Sequence, residues 1–259
     1  MKSWVIAALL AVVPALVRGQ QLQGAWWYTE QTGYDFTTSP MRLFDGTGQW
    51  PQFNSTSAGT ISSASGQLQF FGSSSYQLFN RDYRRLPSLS PWMCGIQEDV
   101  EQMVLIPAPD NDKLCYVVQT PGPSASMNRI PCLYSLLDTR LDGGRGEFVT
   151  PGLRRSLPGK AAPHLTTAMH ANDRDVWAIT VAKEGDSLRA WRLGPTGFIS
   201  VTRSAANTAT ALFPRTEVGF SWGPGYFLRA SPNGELIACG TDSTVELFNF
   251  NRTNDQIIH

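Results

Sequence analysis

Apolar and polar positions along this chain alternate in short runs, not in helical stripes. Beyond residue 20, no window of 12 or more residues carries apolar positions at i, i+3, i+4 and i+7 without turn residues among them. Runs rich in β-branched and aromatic side chains are instead separated by clusters of Gly, Ser, Asn, Asp and Pro, which predicts strands joined by tight turns. Four segments share one plan of strand, polar turn, strand and third strand. They are "GTISSASGQLQFFGSSSYQLFN", "QMVLIPAPDNDKLCYVVQT" with "CLYSLLDTRL", "TTAMHANDRDVWAITVAKEGDSLRAWRL" and "YFLRASPNGELIACGTDSTVELFNF". Their turns hold residues that tolerate left-handed geometry: Ser65-Gly66, Asp110-Asn111-Asp112, Asn172-Asp173-Arg174 and Asn233-Gly234. The third strands align on Leu78, Leu136, Trp191 and Leu247, in steps of 58, 55 and 56 residues. A near-constant period of antiparallel strands predicts an all-β fold, a β-propeller of four-stranded blades with one blade per repeat.

The densest polar cluster, "HANDRD" at 170–175, invites a metal or catalytic reading. A metal site there needs ligands converging from elsewhere, and the chain has only three histidines, His164, His170 and His259. The cluster is read as the hairpin turn of the third repeat, with Asp173 and Asp175 accepting hydrogen bonds from turn amides. Glycosidase chemistry needs two carboxylates across the substrate, yet the expected innermost strands "AGTISS", "QMVLIP", "TTAMHA" and "YFLRAS" contain neither Asp nor Glu. There is no SxDxGxxW box, no GxGxxG after a strand and no Walker A sequence. No catalytic, cofactor or metal residue is therefore expected, and the sequence designates no ligand-binding residue. Trp26, Trp27, Trp92, Trp177, Trp191 and Trp222 are read as packing between blades, ahead of glycan stacking.

Composition adds an address. Lys2 followed by the apolar run Trp4–Leu16, with Val17 and Gly19 before Gln20, has the plan of a cleaved secretory signal. The run is too short for a membrane span of about 20 residues, so a retained anchor is the lesser reading. This divides the chain into a signal over 1–19 and a propeller over 20–259. Cys94, Cys115, Cys132 and Cys239 lack CxxC spacing; disulfides and buried free thiols stand as equal readings. Lys plus Arg and Asp plus Glu are both 21, so no basic field points to nucleic acid or an anionic membrane. The one basic run, Arg81–Pro87, reads as a solvated connector.

The motifs "WWYTEQTGYDF", "QLFNRDYRRLP", "YSLLDTRLDGGRGEF", "MHANDRDVWAIT" and "FLRASPNGELIA" also fall in a familiar order. Over roughly Trp26–Phe250 the chain resembles the WD40-like N-terminal propeller of exported Bacteroidetes proteins. Those proteins are gliding-motility-associated or carry a type IX secretion (type B) sorting domain. The resemblance implies a seven-bladed ring, of which about four repeats are present here. Motifs that run in order and then stop favour an incomplete ring, an open arc, over a ring closed at four blades by "AWWYT" pairing with Val245–Phe250. The implied function is a non-catalytic exported or cell-surface module for protein or glycan binding, with a propeller glycosidase or lyase as the alternative. The partner is unknown.

Overall fold

A computed structural model describes residues 26–28, 32–35, 40–45, 58–63, 65–73, 77–86, 103–120, 131–150, 155–182, 187–205, 227–240, 244–254 and 256–258. The signal expected over 1–19 lies outside these residues, as do Cys94, Trp92, Trp222 and His259.

The regular structure of the described residues is β-strand in five antiparallel sheets, with one four-residue helix, Leu141–Gly144. A three-stranded sheet comes first: β1 (Trp26–Tyr28), β2 (Thr32–Asp35) and β3 (Arg42–Asp45). Four blades follow at the predicted repeats. The first blade has β4 (Ala58–Ser62), β5 (Leu68–Ser73) and β6 (Gln77–Asn80), and the chain then folds back to pair Phe79 with Arg85. The second has β7 (Met103–Ala108), β8 (Asn111–Gln119) and β9 (Leu133–Asp138). Its outer strand is split into β10 (Glu147–Phe148) and β11 (Arg155–Ser156), both paired with β9. The third is β12 (Ala161–Met169), β13 (Val176–Ala182), β14 (Ser187–Gly194) and β15 (Gly197–Ala205). The fourth is β16 (Phe227–Ala230), β17 (Leu236–Gly240), β18 (Val245–Phe250) and β19 (Ile257–Ile258). The third strands carry Leu78, Leu136, Trp191 and Leu247, the positions that set the sequence period.

The core lies between blades, as in a propeller. Ile61, Phe70 and Leu78 of the first blade meet Leu105, Val117 and Leu137 of the second. Ile106, Tyr116 and Val118 on the second blade's other side meet Leu165, Ala178 and Trp191 of the third. Trp177, Ile179 and Leu188 then meet Leu228, Ile237 and Phe248 of the fourth. Every residue of β13 is buried. Its alternation runs between two cores, not between core and water: Val176 and Ala178 face the second blade, Trp177, Ile179 and Val181 the fourth. Each such large apolar side chain contributes ~1.5–3 kcal/mol when fully buried.

The pairing of Trp26–Tyr28 with Val245–Phe250, which belonged to the alternative of a ring closed at four blades, is not formed; β1 pairs with β2, and β18 is flanked by β17 and β19. The fourth blade is completed by an outer strand, β19, paired with β18. The basic run over 81–87 exposes Arg81, Arg84 and Arg85, as read, but is a tight turn rather than a connector. Asn80 Oδ1 accepts from the amides of Asp82 (3.0 Å) and Arg84 (3.1 Å), and Leu86 is buried.

Candidate binding face

The innermost-to-second-strand turns of all four blades lie on one face. Three of them close alike. The fourth residue donates its amide to the carbonyl of the first: Gly66 to Ser63 (2.9 Å), Asp173 to His170 (3.0 Å) and Gly234 to Ser231 (2.8 Å). That fourth residue has φ of +81°, +52° and +71°, which only Gly, Asn or Asp adopts readily. In the third blade, Asn172 Oδ1 accepts from the amides of Arg174 (3.1 Å) and Asp175 (3.0 Å), and His170 Nδ1 accepts from Asn172 N (3.0 Å). "HANDRD" is therefore a turn. The side chains that accept its amides are Asn172 and His170, however, and not the two aspartates.

The aspartates have another use. Asp175 is fully buried and takes Arg174 Nε at 2.9 Å and Arg192 Nη2 at 2.6 Å. Burial opposes its ionisation, but the hydrogen bonds from Arg174 and Arg192 prevail and hold the carboxyl below its ordinary range. Asp173 faces Arg252 of the fourth blade at 3.7 Å. Asp110 of the second blade faces Arg174 of the third at 3.7 Å, and Asp82 of the first faces Arg145 of the second at 3.5 Å. One exposed ion pair thus crosses each junction on this face, fixing alignment and adding little stability. The third and fourth blades are also tied by Trp177, whose Nε1 donates to the Arg252 carbonyl at 2.9 Å.

Between the first and second blades the same face opens into a cleft of about 470 Å³. Breaks in two ladders make it. In the first blade Ser62 pairs with Leu68 and Ile61 with Phe70, so Gln69 has no opposite on β4. In the second, Pro107 pairs with Cys115 but Ala108 with Asn111, so Asp112, Lys113 and Leu114 loop away from β7. The amide of Thr139, donating to the Lys113 carbonyl at 2.8 Å, steadies that loop from β9's end. All four displaced residues line the cleft. Bulges of this kind re-aim side chains at functional sites. The floor is Ile61, Phe70 and Cys115, from the blade-to-blade core. Phe70 is itself pinned by Gly146 at φ +92°, where an added Cβ would stand 2.4 Å from the ring. Ser62 lines the cleft at 3 % exposure, and its hydroxyl has no hydrogen-bond partner among the described residues.

The remaining sequence candidates fall into structural places. Trp177 and Trp191 are buried between blades, and Trp191 Nε1 donates to the Pro158 carbonyl at 3.0 Å. Cys115 and Cys239 are buried free thiols, and Cys132 is buried with its Sγ donating to the Gln119 carbonyl at 3.0 Å. Burial pushes the Cys115 thiol far up and, with Glu246 nearby, the Cys239 thiol up to about 12, so neither supplies a thiolate nucleophile. Strands β4, β7, β12 and β16 carry no Asp or Glu. Among the described residues no three His, Cys, Asp or Glu side chains group as metal ligands. Sequence reading missed the cleft; its one signal was Pro107 inside an innermost strand, a residue confined to edges and bulges.

No protein-family model matches the chain, and no curated protein matches it in sequence. Solved structures similar in chain course include the following three. The fission yeast SREBP–SCAP binding-domain complex has 10 % identity and a TM-score of 0.48, over 90 % of this chain and 59 % of that one. A functionally unknown protein of Desulfotomaculum acetoxidans DSM 771 has 12 % identity and a TM-score of 0.41, over 88 % and 62 %. The Dos1 propeller has 10 % identity and a TM-score of 0.34, over 80 % and 42 %. This chain thus spans less than two thirds of each, and none transfers a ligand, partner or activity to it.

Proposed function

We propose that the protein is a non-catalytic, exported or cell-surface propeller module that binds a partner through its turn face. The observation that carries this is the cleft between the first and second blades, where the buried Ser62 hydroxyl has no hydrogen-bond partner among the described residues. Acid-free innermost strands support a binding role over a glycosidase or lyase. Export rests on the plan of residues 1–19, and a place in a gliding or type IX secretion assembly rests on the motif resemblance alone. The test is capture of envelope proteins on the immobilised full-length mature chain, beside variants of the exposed face residues Asp112→Lys and Asp173→Lys. A partner retained by the wild type and lost by either variant supports the reading. Capture that both variants leave unchanged removes the turn face from it.

A further inference from the structure

We propose that the cleft between the first and second blades receives a lysine or arginine side chain presented by a partner protein. This deepens the binding reading above and rests on it. The third and fourth blades keep regular ladders at their turn ends, so the two facing breaks are a local departure from the repeat. What they create is a hollow with an apolar floor, a buried hydroxyl and a rim that bears two aspartates. Asp110 and Asp112 line it, and their side chains are 58 % and 78 % exposed. The one cation in the lining, Lys113, is 2.9 Å from Asp112, and Arg174, outside the lining, is 3.7 Å from Asp110; both are exposed pairs that a further cation can share. Three ligand chemistries can be weighed against this. An anionic ligand meets two carboxylates. A sugar ring needs an aromatic face to stack on, and Phe70 is 1 % exposed. A lysine or arginine satisfies every part of the site. Its methylene stem lies over the half-buried Pro107, Ala108 and Leu114 of the lining. Its N–H groups donate to Ser62 Oγ, which otherwise stays buried without a partner among the described residues, and to the rim carboxylates.

The probes are n-butylammonium and n-butylguanidinium, with n-butyrate and methyl glucoside beside them, followed by saturation-transfer NMR on the full-length mature protein. The two cations are expected to bind and the two controls not to. Ser62→Val and the pair Asp110→Asn with Asp112→Asn are each expected to weaken the cations about tenfold without shifting the melting temperature. Equal binding of butyrate or glucoside overturns the proposal, as does cation binding that survives both variants. If a partner is captured through the turn face while neither cation binds, only this inference falls. If the cations bind and no partner is captured through the face, the binding reading falls and the cation site stands.

Discussion

His164 sits on the innermost strand of the third blade at 3 % exposure. Burial, and then the charge of Arg229, push its pKa down to about 4 from an ordinary 6.5. The folded state therefore refuses a proton that the unfolded chain accepts between those values. The stability this contributes is complete above pH 6.5 and is lost as pH falls toward 4, by roughly 3 kcal/mol in all. Asp175 works in a separate window: its lowered pKa means its contribution is lost only in stronger acid, as pH drops through and below the ordinary carboxylate range. Urea unfolding at pH 7.5 and pH 5 should show wild-type stability falling by about 2 kcal/mol, with His164→Gln removing most of that slope. A slope unchanged in the variant would assign the acid sensitivity to other groups. The sequence marked His164 only as one of three histidines; nothing local to it signals that its place on β12 is buried.

At the scale of strands and turns, the sequence is most legible where local chemistry decides the outcome. Gly234 was expected in a turn needing positive φ, and it has φ +71°. A Cβ there would stand 3.0 Å from Arg252 Cδ and 3.3 Å from Ala168 Cβ, so the turn is pressed against the third blade as well. Gly234→Val should cost at least ~1 kcal/mol, a drop of roughly 2–4 °C in melting temperature. An unchanged melt would contradict the tight turn. Legibility fails where pairing decides. Strand β12 begins at Ala161, well before the expected "TTAM", because the irregular register between Ala161 and Leu165 absorbs Pro163, which reads in sequence as a breaker. The displaced Asp112–Leu114 is invisible for the same reason. Alternation tells which face a residue takes, but not which residue stands opposite it.

At the scale of the whole molecule, no blade owns a core. Each of the three hydrophobic clusters belongs to two neighbouring blades, so stability is set by adjacency, as in other repeat architectures. Innermost strands neighbour one another in the order β1, β4, β7, β12 and β16. The fourth blade turns Ile237, Phe248 and Phe250 toward the third and leaves Leu236, Val245 and Leu247 exposed on its other side, Val245 at 61 %. Exposed apolar area of this kind promotes association. Light scattering should find concentration-dependent self-association of the full chain, reduced by Val245→Lys with Leu247→Glu while the melting temperature holds. Scattering that the double variant leaves unchanged would place the sticky surface elsewhere. The loop at Asp112–Leu114 bears on how such a molecule changes over generations. Most of a blade is pinned on both sides, and a substitution there disturbs two neighbours at once. Three residues released from one of their partner strands answer to fewer constraints. A lineage could lengthen, shorten or recharge that hairpin and so acquire new specificities, while inheriting the frame unaltered.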